Sequence, residues 1–183
     1  MKNRSLLTIL ILSIGLNLFS QNYQIAGNEI VFSKVIEDTG KDVPSAHKAI
    51  EAFFASYYND VKFTEHLNQE DHFLYKGVWN EVAMSTNGFG WITVDIPHEI
   101  NVSIKDNRVR VKVILIQGKY NWDGKSYAYN LLDAPPFTKK APLGANKKVC
   151  EKGFSMAEGL SLGVISNLEE YLLNSTLDNN DDW

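Results

Sequence analysis

Apolar and polar positions alternate most regularly in the middle of the chain. Residues 72–86, 90–105 and 108–117 each read as a long strand, because a period of two sends successive side chains to opposite faces of a sheet. Asp106 and Asn107 separate the second run from the third. Both residue types tolerate the positive φ that a two-residue hairpin turn demands. Such a turn sets Ile104 against Val109, Val102 against Val111 and Ile100 against Val113, so that six branched side chains share one face. That agreement is an internal check on register, since a slip of one residue would turn the whole set outward. Ser103, Lys105, Arg108, Arg110 and Lys112 fall on the opposite face.

Thr86, Asn87 and Gly88 suit a three-residue loop between the first two runs, with glycine at the left-handed position. This register pairs Val82 with Ile92 and Val78 with Ile96 on the core side, and turns Tyr75, Trp79, Glu81, Trp91 and Asp95 away from it. Pro97 interrupts the middle run, so a bulge or bend near His98 is expected.

Helical spacing takes over in two places. Asp42 or Ser45 can cap a helix with Pro44 in its first turn, after which Ala46, Ile50, Phe53 and Tyr57 recur on one side until about Asn59. A second helix is expected from about Phe154 to Asn174, with Met156, Leu160, Val164, Leu168 and Leu172 along one stripe. Gly159 and Gly163, four apart, mark a close approach of that helix to a neighbour. Elsewhere, residues 29–37 (EIVFSKVIE) read as a strand and residues 61–63 as a short one before a polar loop through 68–71. Residues 120–129 form a hairpin turning at Trp122, Asp123 and Gly124, and residues 133–152 are a connection rich in proline, glycine and lysine. The order β, α, several antiparallel strands, α predicts an α+β fold: a curved antiparallel sheet with two helices on one face.

The amino terminus changes the picture from fold to address. Lys2 and Arg4 precede an almost unbroken apolar run over residues 6–19, and Ser20 is a small residue at its end. Basic, apolar and small, in that order, make a secretory signal peptide over residues 1–20. The run is shorter than the ~20 apolar residues that cross a bilayer, and no second long apolar segment follows. The expected mature chain is a single domain, residues 21–177, with a loose acidic tail over 178–183. It is expected in the periplasm or outside the cell, with no transmembrane segment. Of 18 basic and 22 acidic residues, only Lys2 and Arg4 leave with the signal. The net charge then moves from −4 to about −6, which argues against nucleic acid as a partner. Cys150 is the only cysteine, so no intramolecular disulfide is possible, and it reads first as a small buried hydrophobe.

Residues 29–37, the helix beginning at Ala46, Lys76 followed by Gly77, and the run VSIKDNRVRV over residues 102–111 resemble a family of small exported Bacteroidetes proteins of unknown function with a TBP-like fold. The resemblance covers roughly residues 29–117, and its turn reads Lys-Asp-Asn-Arg here where Lys-Asp-Gly-Arg would be typical. It implies fold and export. It carries no catalytic residues, and a fold name does not imply DNA binding.

Candidate chemistry is sparse. Glu65, His66, Glu70, Asp71 and His72 are the one cluster with metal-ligand types, at a spacing that matches no zinc pattern. The lysines near Cys150 could lower its thiol pKa, but no Cys–His–Asn order, nucleophile elbow or phosphate loop accompanies it. Catalytic residues, cofactor and metal are therefore each read as none. The feature that remains is the open face of the sheet, where Tyr75, Trp79, Trp91, Arg110 and Lys112 form a possible recognition surface. The competing reading of that face is a second packing layer, by the 120–129 hairpin or a homodimer. The expectation is an exported, non-catalytic binding or accessory protein with an unknown protein or small-molecule partner. The alternative is a small periplasmic hydrolase whose site the sequence does not reveal.

Overall fold

The computed structural model describes residues 22–57, 64–86, 90–142 and 144–175. The segments expected to be a signal peptide (1–20), a short strand (61–63), the Asn87 and Gly88 turn and an acidic tail (178–183) lie outside the described residues. The elements are β1 (Gln24–Ala26), β2 (Glu29–Ile36), α1 (Val43–Tyr57), β3 (Thr64–Gln69), β4 (His72–Thr86), β5 (Trp91–Lys105), β6 (Arg108–Leu115), β7 (Gln117–Trp122), β8 (Lys125–Asn130) and α2 (Lys147–Asn174). All strand pairings are antiparallel, in the order β1-β2-β6-β5-β4-β3, with the β7 and β8 hairpin attached to β5. The sheet is open and curved, both helices lie on one face, and the class is α+β.

The β5 and β6 hairpin has the register that alternation predicts: Ile100, Val102 and Ile104 stand opposite Val113, Val111 and Val109. All six are buried. Of the two turn residues, Asn107 alone takes a positive φ, at 59°. Its side chain also accepts a hydrogen bond from the Gly40 backbone N–H (2.7 Å), tying the hairpin tip to the segment before α1.

The β4 and β5 register differs from expectation. Thr86 pairs with Trp91, three residues out of step with the register expected at this end. Further along, Trp79 pairs with Ile96 and Ala83 with Val94, so β4 carries two extra residues in a bulge. Beyond the bulge the pairing is offset by one residue from that expected, and an offset of one exchanges faces. Phe73, Tyr75, Trp79 and Ala83 point into the core, while Val78 points away. Asp95 holds the bulge: one carboxylate oxygen accepts the Glu81 backbone N–H (2.8 Å) and the other accepts the Asn121 amide (2.7 Å). Glu81 itself sits at φ 52°.

Pro97 is met by a change of partner. His98 is the last β5 residue paired with β6, and Asp95 the first paired with β7. A residue with no backbone N–H thus stands where one ladder ends and the next begins. The 120–129 hairpin extends the sheet at this edge instead of folding across its open face.

α1 starts where Asp42 accepts the Ser45 backbone N–H (2.9 Å); hydrogen bonds from Ser45, its hydroxyl first and this backbone N–H second, hold the Asp42 carboxyl below its usual range. Ala46, Ala49, Ile50, Phe53 and Phe54 are its buried face, and Tyr57 is partly exposed. α2 begins at Lys147, earlier than its apolar stripe suggests, because the Asn146 side chain accepts the Val149 N–H (2.9 Å). Met156 is exposed, and the buried stripe runs through Val149, Phe154, Ala157, Val164, Leu168 and Leu172. Gly153 makes the close approach: a Cβ there would stand 3.1 Å from Val94 Cγ1. Gly159 and Gly163 face open space. At the far end the Lys41 ammonium donates to the Leu172 and Ser175 carbonyls (2.7 and 2.8 Å), satisfying acceptors that a helix C-terminus leaves free.

Candidate functional site: the helix-free face of the sheet

One face of the sheet is sealed. Phe54 packs on Tyr75 at 4.2 Å between ring centroids, Tyr23 bridges Phe32 and Phe154, and Gly153 seats α2 against Val94. Among the described residues the opposite face carries no helix, and two concavities lie along it.

The first lies at the partner change beside Pro97. Val78, Pro97, Ile114, Ile116 and Gln117 line a dish of about 320 Å³, and the Lys76 ammonium pairs with Glu99 (2.7 Å) across its edge. The apolar residues are brought together by pairing: Val78 stands opposite Pro97, and Lys76 opposite Glu99, which stands opposite Ile114. The second concavity, about 540 Å³, lies at the β5 and β6 hairpin end, where Val35, Asp71, His72, Ser103 and Arg110 line it together with Glu37, Lys105 and Arg108. His72 Nδ1 is 3.2 Å from Ser103 Oγ, and Arg108 is 3.8 Å from Glu37.

No family model matches the chain, and no curated protein matches it. Two solved structures do resemble it. A DUF4468 family protein from Bacteroides ovatus is 12% identical, over 84% of this chain and 91% of that one, with a TM-score of 0.62. A TBP-like protein from Parabacteroides distasonis is 14% identical, over 85% of this chain and 99% of that one, with a TM-score of 0.59. The fold is TBP-like. At such identities the likeness is one of fold alone.

On this TBP-like sheet the five residues of the expected recognition surface do not assemble. Tyr75 and Trp79 belong to the core; Trp79 is 9% exposed and stacks on His98 with centroids 3.8 Å apart. Trp91 is 66% exposed on the helix-free face. It lies at the opposite end of β5 from Ser103, the residue that pairs with Arg110. Twelve residues at ~3.3 Å each put roughly 40 Å between Trp91 and Arg110 along the strand, too far for one small patch. Arg110 and Lys112 do share the helix-free face, and Arg110 lines the hairpin-end cleft. The residues that sequence reasoning misses are Val78, Ile114 and Ile116, half-covered apolar side chains on the outward side. The odd-numbered aromatics Phe73, Tyr75 and Trp79 are the available signal, since three rings on one side of a strand favour the core.

The other candidates resolve individually. Glu65 and His66 fall in β3, and Glu70 and Asp71 form its turn into β4. Among the described residues no three histidine, cysteine or carboxylate side chains are grouped as a metal site would require. Cys150 is buried, and burial, not the nearby lysines, governs its thiol, pushing the pKa up. The Tyr129 hydroxyl beside it is raised by the same cause. His98 is buried against Trp79, and burial drives its imidazole pKa down to about 4. No described helix is long and apolar enough to cross a membrane.

Proposed function

We propose that this is an exported, non-catalytic binding or accessory protein that holds its ligand on the helix-free face of its sheet. The observation that carries the reading is the asymmetry of the two faces. One is packed under α1 and α2, while the other leaves apolar side chains in the first concavity and, among the described residues, cations (Lys105 and Arg110) with no carboxylate within 4.0 Å in the second. Volumes of a few hundred cubic ångströms with mixed lining are the usual size of small-ligand sites. Export is read from the basic, apolar and small succession of residues 1–20, and a chain so processed works in the periplasm or outside the cell. Nucleic acid is not the expected ligand of a mature chain with net charge near −6.

The test maps binding onto the sequence. Amide resonances of the mature chain are followed while a library of small polar and amphipathic molecules is added. The expected hits perturb Lys76, Val78, Ile114 and Ile116 or the Ser103 and Arg110 pair. Hits confined to α1, α2 or the β7 and β8 hairpin would refute the reading. Mature protein from the native host should also begin at or near Gln21; an intact mass retaining residues 1–19 would refute export by this route.

A hydrolase has one observation in its favour, the His72 contact with Ser103. A catalytic triad needs a carboxylate on the far imidazole nitrogen, and among the described residues His72 makes no ion pair with one. Ester hydrolysis by the purified chain that disappears in Ser103→Ala would favour it.

A further inference from the structure

We propose that the hairpin-end cleft is the binding site for a single negative charge, the carboxylate of a small organic acid, with Arg110 as its principal anchor. The inference rests on the helix-free face being the binding face, and it specifies which end of that face reads charge.

Strand register builds the site. Val35 pairs with Arg110, Arg110 with Ser103, and Ser103 with His72, so these four residues form one row across β2, β6, β5 and β4. Three inter-strand steps of ~4.8 Å make that row about 14 Å wide, enough to seat one small molecule. The next row along the strands is Ser33, Lys112, Asn101 and Leu74. Two adjacent rows therefore hold two fixed cations and no carboxylate. This occurs in a chain whose acidic residues outnumber its basic ones by 22 to 18. One row further on, the next lysine, Lys76, is already neutralised by Glu99. Among the described residues neither Arg110 nor Lys105 nor Lys112 has a carboxylate within 4.0 Å.

Charge balance within the cleft points to a monoanion. Lys105, Arg108 and Arg110 line it with three positive charges against the two negative ones of Glu37 and Asp71, and Arg108 already leans on Glu37 at 3.8 Å. One positive charge is left over. A guanidinium offers parallel N–H donors that match the two oxygens of a carboxylate, a geometry that lysine cannot reproduce. Ser103 and His72, joined at 3.2 Å, supply hydrogen-bonding groups beside it, and Val35 gives the row an apolar end for a carbon skeleton. A dianionic phosphate would overfill the same site, and the Asp71 and Glu37 carboxylates would oppose its second charge.

The probes are benzoate, benzamide and phenyl phosphate, which keep one ring and change the charge from minus one to zero to minus two near pH 8. Each is titrated into the isotope-labelled mature chain at low ionic strength. Benzoate is expected to perturb the Ser103, Arg110 and His72 amides, benzamide to bind at least tenfold more weakly, and Arg110→Gln to abolish the difference between them. Arg110 is exposed on the surface of β6, so the variant should unfold at the wild-type urea midpoint. Equal binding of benzoate and benzamide, or benzoate binding that survives in Arg110→Gln, overturns the proposal. Phenyl phosphate binding tenfold tighter than benzoate overturns the monoanion assignment. Benzoate and benzamide both settling at Val78, Ile114 and Ile116 would sink the charge-reading cleft but leave the binding face intact. All three probes settling on the helices would remove both.

Discussion

His98 is the buried group whose protonation should be written into the stability of the whole fold. It is 3% exposed, lies flat on Trp79 at an interplanar angle of 17°, and faces the Ile96 carbonyl through Nδ1 at 3.4 Å. Burial is the dominant cause of its depressed pKa, about 4 against 6.5 for a free imidazole, and the carbonyl contact opposes the change only in part. The sign follows from linkage. Between these two values the unfolded chain binds a proton at this position and the native chain does not, so stability rises with pH across the window. The contribution is complete above pH 6.5 and is lost as pH falls toward 4. Within the window each tenfold rise in proton concentration costs about 1.36 kcal/mol. The loss therefore reaches about 2 kcal/mol at pH 5 and about 3 kcal/mol at pH 4. The comparison is wild type against His98→Phe, which keeps a ring against Trp79 and removes the titration. Whatever that substitution costs in packing enters at every pH alike, so only the slope is read. Urea unfolding at half-unit steps from pH 8 to 4 should show wild type losing about 2 kcal/mol more than the variant between pH 7 and 5. Parallel curves would refute a neutral, buried His98.

Other substitutions separate the faces of the sheet. Val111→Asp places an unpaired carboxylate opposite Val102 in the core and should cost more than about 4 kcal/mol in chemical denaturation; a tolerated variant would mean that the hairpin register is slipped. Trp79→Ala should cost roughly 3–5 kcal/mol as a core aromatic, and Trp91→Ala less than about 1 kcal/mol as an exposed one; the reverse order would invert the β4 and β5 faces. Gly153→Ala must push on Val94 Cγ1 and should destabilise. By contrast Gly159→Ala and Gly163→Ala, which meet no neighbour, should each raise stability by up to about 1 kcal/mol through helix propensity. Gain at Gly153 or loss at the other two would put the helix contact in the wrong place.

What can be read from residues alone depends on how locally each feature is determined. The β5 and β6 hairpin is legible because a two-residue turn and six alternating branched side chains must agree with each other. The β4 register is not, because it depends on a two-residue bulge held by Asp95 from another strand. That long-range contact reverses Tyr75 and Trp79, two of the five residues of the expected recognition surface. α2 extends seven residues beyond its legible start because Lys147, Lys148, Glu151 and Lys152 look like a loop until Asn146 is seen to cap them. Gly153 gives no signal at all, since the side chain that makes it necessary is on β5. Arg110 and Lys112 fall on the expected face because the hairpin alone decides their side. The apolar dish at Pro97 is hidden, because it exists only where β5 exchanges β6 for β7.

The most direct test of the proposed binding face compares the protein in its native setting with the same protein alone. Hydroxyl-radical footprinting would be applied to intact cells carrying the protein and to the purified chain, with oxidation read residue by residue. Val78, Pro97, Ile114 and Ile116 should lose reactivity in the native setting, while Met156 and Leu173, both exposed on α2, stay as reactive as in the purified protein. Protection at Met156 and Leu173 with the helix-free face still fully reactive would contradict a binding role for that face.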